Sequence, residues 1–130
     1  MVTKIISHRG RTSNESPDNT LQSIEDAIDF NIEMVEFDVR RTRDGQIVCF
    51  HDAEINDYPL ISLSFPEVTE MNPLIPTLEQ VLRLAKGKIQ VDVDLKEMGY
   101  ENEVIDILLN YFEYDNFIMK SFNRQVIKRI

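Results

Sequence analysis

Strand-like segments alternate with amphipathic helical ones along the 130 residues, and this alternation predicts an α/β chain whose parallel sheet is covered by helices. Two strand-like segments, 33–40 and 88–96, follow a period of two, strictly so in the second, while the intervening helical segments carry apolar residues three and four apart. Reactive polar side chains also collect at the ends of the strand-like segments, where parallel α/β sheets place their ligand crevice. No repeat, linker or low-complexity stretch divides the chain, so one domain over 1–130 is expected.

Residues 4–8 read as a strand that stops at Gly10 in a polar loop through Asn14, Glu15 and Pro17. Residues 19–32 read as a helix, with Leu21, Ile24 and Ile28 on one face and Asn19 and Gln22 at capping-box spacing. The second strand covers 33–40; Asp44 and Gly45 form a turn, and 46–51 is the third strand. Residues 52–76, which include Pro59, Pro66, Pro73 and Pro76, read as irregular. Thr77 and Gln80 form another capping box, opening a helix through Val81, Leu82 and Ala85 that Gly87 ends. Segment 88–96 is the fourth strand. A helix over 101–114 carries Val104, Ile105, Leu108, Leu109 and Phe112 at helical spacing. Segment 116–121 is the last strand, and Asn123 caps a helix over 124–130.

Fourteen Lys and Arg against 23 Asp and Glu give a net charge of −9, and the isoelectric point lies near 4.6. With no basic run, that balance argues against nucleic acid or an anionic membrane surface as the main partner. Any anionic substrate therefore needs local positive charge, which a metal would supply. A hydrophobic share of 42% is too high for a disordered chain. Cys49 is the single cysteine, which excludes an intrachain disulfide and fits a reducing compartment. No apolar run approaches the roughly 20 residues of a membrane span, and the first residues lack a signal peptide's apolar stretch. Cytoplasmic location without stable membrane insertion is the expectation.

His8 ends the first strand, Glu36 and Asp38 lie near the end of the second, His51 ends the third, and Asp94 and Lys96 end the fourth. Alternation puts Glu36 and Asp38 on one face, opposed to Val35, Phe37 and Val39. Asp92, Asp94 and Lys96 likewise share a face opposed to Val91, Val93 and Leu95. Several inward carboxylates stay ionised together only with compensation, which a divalent cation and Lys96 would supply. All-oxygen ligands select Mg²⁺, Ca²⁺ or Mn²⁺, and such an ion polarises a phosphoryl oxygen. The ordinary histidine pKa near 6.5 suits the two histidines to acid and base roles.

The motifs Ser7-His8-Arg9-Gly10, Ser16-Pro17-Asp18-Asn19-Thr20, Val35-Glu36-Phe37-Asp38-Val39, Asp44-Gly45 and Phe50-His51-Asp52 appear in that order. They are followed by Ile75-Pro76-Thr77-Leu78-Glu79, Val91-Asp92-Val93-Asp94-Leu95-Lys96 and Ser121-Phe122. Over essentially the whole chain this order resembles the glycerophosphodiester phosphodiesterase family. The resemblance implies a TIM (β/α)₈ barrel, here incomplete, with about the first five β/α units and a truncated C-terminus, because a whole barrel takes about 250 residues. It implies metal-dependent hydrolysis of glycerophosphodiesters to an alcohol and glycerol 3-phosphate. By position it makes His8 and His51 the catalytic pair, Arg9 and Lys96 the phosphate contacts, and Glu36, Asp38 and Asp94 ligands of Mg²⁺ or Ca²⁺, with Asp18 in support. Asp18 and Asp94 stand where the family usually has Glu, which draws each carboxylate back by about 1.5 Å. An inactive half-barrel that serves as an assembly or metal-binding module is the alternative, with a homodimer possible if the chain is naturally this short.

Overall fold

The computed structural model describes residues 6–8, 19–97, 99–120 and 126–127. Four strands lie parallel in chain order: β1 (Ile6–His8), β2 (Met34–Arg41), β6 (Gln90–Leu95) and β7 (Phe117–Lys120). Helices connect them: α1 (Leu21–Asp29) after β1, α3 (Leu78–Ala85) before β6, and α4 (Glu101–Tyr111) before β7. Sequential parallel neighbours joined through helices form the arc of an incomplete barrel, as the family resemblance implies, with four such strands among the described residues where about five units were expected.

The period of two decides which side of this arc is apolar. Val35, Phe37, Val39, Val91, Val93, Leu95, Phe117 and Met119 are buried in one core with Ile24, Ala27, Val81, Leu82, Val104 and Leu108 of the helices. Fully burying a side chain such as Phe37 is worth about 1.5–3 kcal/mol. The alternate residues Glu36, Asp38, Asp92, Asp94 and Lys120 are thereby committed to the opposite face of the sheet.

Several elements differ from the sequence expectation. The 46–51 strand is the short β3 (Ile47–Cys49), and it pairs antiparallel with the end of β2, so it is not a further stave of the arc. The first helix is capped by Thr20 and Ser23 in a reciprocal box; Asn19 sits before it at φ +60, with its side chain turned to β2, and the helix ends at Asp29. The 52–76 stretch contains the hairpin strands β4 (Glu54–Ile55) and β5 (Tyr58–Pro59), a 3₁₀ turn (Leu60–Ser62) and the helix α2 (Phe65–Met71). Pro66 falls in the first turn of α2, where no backbone N–H partner is lost, and Ser64 with Glu67 supplies a capping box. Val48, Ile55, Leu60, Leu63, Val68 and Ile75 give this insert its own small core. Helix α4 stops at Tyr111, so Phe112 packs into the core from beyond the helix end. Val126 and Ile127, expected in a terminal helix, form β8 (Val126–Ile127) and pair antiparallel with β7. Two adjacent β-branched residues favour that pairing, which also covers the open edge of β7. No helix among the described residues is long and apolar enough to cross a membrane.

Candidate active site

Strand register brings like charges face to face. Glu36 of β2 is the Cα partner of Asp92 of β6, and Asp38 is the partner of Asp94. Directly opposed carboxylates repel unless a cation sits between them. Each pair has its own lysine. Lys120 Nζ lies 3.0 Å from Glu36 Oε2 and 3.3 Å from Asp92 Oδ2. Lys96 Nζ lies 3.0 Å from Asp94 Oδ2 and 3.4 Å from Asp38 Oδ1.

Burial raises the Asp92 carboxyl above its ordinary value, against the pull of the Lys120 ammonium, and among the described residues its buried Oδ1 has no hydrogen-bond partner. Burial also disfavours charge on Lys120, but the hydrogen bond to Glu36 and the nearby Asp92 and Glu36 carboxylates outweigh it and raise its pKa. Asp38 is 1% exposed and is braced from the far side by Asn19. The Asn19 amide donates to Asp38 Oδ2 at 3.3 Å, and its oxygen accepts the Asp38 backbone N–H at 3.0 Å.

His51 follows β3 and sits on the rim beside Arg40. Its Nδ1–H donates to Asp52 Oδ1 at 2.9 Å, which leaves Nε2 as the nitrogen that can take or give a proton. Arg40 donates to the His51 carbonyl through Nε at 2.9 Å and Nη2 at 2.6 Å. An open cleft lined by Arg40, His51, Asp52, Glu54, Asp57 and Glu97 lies against the insert hairpin.

Of the residues singled out by sequence, Glu36, Asp38, Asp94 and Lys96 share one cluster, while His51 lines the cleft that also holds Arg40 and Glu97. The β1 register sets the His8 backbone beside Glu36; the His8 side chain, Arg9 and Asp18 lie outside the described residues. Lys96, expected at a phosphate, is held by two carboxylates. Among the described residues no trio of His, Cys, Asp or Glu side chains is gathered tightly enough to hold a metal. The sequence reading missed Lys120, Arg40 and the bracing role of Asn19. Alternation carried a signal for the first two, since Lys120 opposes Met119 and Arg40 continues the row of Glu36 and Asp38.

The Glycerophosphoryl diester phosphodiesterase family matches residues 8–127. This chain belongs to that family. A glycerophosphodiester phosphodiesterase of Bacillus altitudinis is 30% identical over 94% of this chain and 59% of its own length. The crystal structure of a glycerophosphodiester phosphodiesterase from Thermotoga maritima superposes with a TM-score of 0.83 at 26% identity, over 95% of this chain and 56% of that one. An Oleispira antarctica phosphodiesterase, solved with the product sn-glycerol-3-phosphate, gives 0.78 at 26% identity, over 93% and 58%. The chain thus spans a little under three-fifths of the length of these relatives.

Proposed function

We propose that this chain carries the acid/base and cation-binding part of a hydrolase that cleaves glycerophosphodiesters to an alcohol and glycerol 3-phosphate. The observation that carries the reading is the polar cluster of Glu36, Asp38, Asp92, Asp94, Lys96 and Lys120 on one sheet face, with His51 joined to the same strand through Arg40. Family membership and the product-bound relative from Oleispira antarctica support the substrate class.

Hydrolysis adds water to phosphorus and breaks the bond from phosphorus to the alcohol oxygen. One histidine accepts the proton of the attacking water and the other returns a proton to the departing alcohol oxygen. His51 has the geometry for either step, with Nδ1 engaged by Asp52 and Nε2 available. His8, set beside Glu36 by the β1 register, is the second histidine.

The carboxylates suit a hard divalent cation. Among the described residues two lysines face four carboxylates, and Asp92 Oδ1, buried with no hydrogen-bond partner there, lies within the cluster. Glu36, Asp38 and Asp94 would hold Mg²⁺ or Ca²⁺ only once Lys96 and Lys120 withdraw from them, because the lysines hold these carboxylates here and the described residues form no ready metal site. When bound, such a cation withdraws electron density from the phosphoryl group and neutralises developing charge. Lys96 and Arg9 would contact the phosphate, and Asp18 would support the site. We place the protein in the cytoplasm.

The test is release of glycerol 3-phosphate from glycerophosphocholine, with Mg²⁺ or Ca²⁺ and with a chelator. Cation-dependent release that His8→Ala and His51→Ala each abolish is expected. A folded protein that releases none overturns the proposal.

A further inference from the structure

We propose that Arg40 is a positioning residue for His51, and that Glu97 and Tyr100 hold Arg40 in that role. The inference rests on the reading of His51 as an acid/base group. Regular pairing with β2 ends close to the histidine: β3 stops at Cys49, and Phe50 still donates its N–H to the Asp38 carbonyl at 3.1 Å. His51 comes next, ahead of the insert hairpin. Its carbonyl receives two hydrogen bonds from a single guanidinium, Nε at 2.9 Å and Nη2 at 2.6 Å. Two donors in one rigid plane fix the direction of that carbonyl as well as its place. With the peptide plane held, the Nδ1 bond to Asp52 sets the orientation of the imidazole.

Arg40 is well placed to reference the histidine to the carboxylates. It lies on the same face of β2 as Glu36 and Asp38, four and two positions on. The guanidinium is itself secured from a third direction, because Nη1 donates to Glu97 Oε2 at 3.2 Å. The other oxygen of Glu97 accepts the Tyr100 hydroxyl at 3.0 Å. Burial, reinforced by the Glu97 carboxylate, pushes the Tyr100 hydroxyl far above its ordinary range, so it remains a donor. Glu97 follows β6 and Tyr100 precedes α4, so the chain of contacts ties His51 to two separate elements of the arc. Arg40 and Tyr100 are only 9% and 5% exposed, and a charge so deep needs the partner that Glu97 provides.

The experiment compares Arg40→Met, which keeps the stem and loses the donors, with Arg40→Lys and Glu97→Gln. Steady-state rates on glycerophosphocholine are measured across pH. The imidazole signals of the two histidines are followed by NMR and assigned with His8→Gln. Misplacement of a proton-transfer group by about an ångström lowers kcat by about 10- to 100-fold. Arg40→Met should show that loss with KM held within about twofold, an altered pH profile and shifted His51 ring signals, while His8 is unmoved. Arg40→Lys should recover part of the rate, since an ammonium reaches the carbonyl without the fork. Wild-type kcat in Arg40→Met overturns the proposal, as does a lost rate with unchanged His51 signals and pH profile. If Arg40→Met does not fold, Glu97→Gln and Tyr100→Phe should show the same shifts to a smaller degree, and wild-type behaviour in both overturns it. If the parent protein releases no glycerol 3-phosphate, the functional reading fails separately. The His51 signals of the variants then decide the positioning role alone, with unshifted signals overturning it.

Discussion

Replacing Lys120 by Met should destabilise the fold through the carboxylates it leaves behind. Lys120 Nζ is 3.0 Å from Glu36 and 3.3 Å from Asp92, two carboxylates that face each other across β2 and β6. At an effective dielectric constant of about 20, a pair at the shorter distance of 3.0 Å attracts by about 5.5 kcal/mol before desolvation. Breaking a fully buried pair costs about 3–5 kcal/mol. The Lys120 side chain is 29% exposed, so the low end applies, about 3 kcal/mol. With an unfolding entropy of about 2.1 cal/mol/K per residue, this lowers the melting midpoint by about 11 °C. The assay is thermal unfolding at pH 7 in chelator, so that no cation substitutes for the lysine. Burial already holds Asp92 above its ordinary 3.8, and losing the ammonium raises it further. A group whose pKa is raised by folding favours the fold below its unfolded pKa, and that advantage is lost as pH rises through the folded value. The deficit of Lys120→Met should therefore shrink on acidification toward pH 4, and adding Asp92→Asn should restore about half of it at pH 7. A midpoint lowered by less than about 3 °C, or an Asp92→Asn effect that adds to the loss, refutes the reasoning.

Asn19→Ala should cost about 2–3 kcal/mol in denaturant titration, because it strips two hydrogen bonds from the buried Asp38 and leaves alanine at φ +60; a loss below about 0.5 kcal/mol refutes the bracing role. The Thr42 hydroxyl, the Phe65 N–H and Arg43 hold the Asp44 carboxyl below its ordinary 3.8, and the Ser64 backbone and hydroxyl hold Glu67 below 4.5. Groups lowered by folding stabilise above their unfolded pKa and lose that contribution as pH falls through the folded value. Melting midpoints should accordingly drop below about pH 4.5, less steeply in Asp44→Asn than in the parent, and equal slopes contradict the assignment. Burial, with Asp38 nearby, pushes the Cys49 thiol far above its ordinary 9.0, so alkylation at pH 8 should track unfolding; rapid labelling of the native protein argues against it.

What the sequence disclosed follows from how far along the chain each cause acts. Alternation is local, so 33–40 and 88–96 revealed their strands and the shared face of Glu36, Asp38, Asp92 and Asp94. Helix α2 stayed hidden because Pro66, between Pro59 and Pro73, read as a breaker, although a proline in a first turn is permissive and Ser64 with Glu67 marked the cap. Register is not local, and the charge balance depends on it. Lys96 stands two residues from Asp94, so its pairing was legible on one strand. Lys120 lies 84 residues from Glu36, and only the parallel pairing of β6 with β7 delivers it to the other carboxylate pair. The same holds for Arg40, whose row on β2 was visible but whose partner Glu97 lies 57 residues away. Sequence thus exposed the groups able to do chemistry and one counter-charge, Lys96, while Lys120 and the role of Arg40 became visible only when separate strands were set side by side.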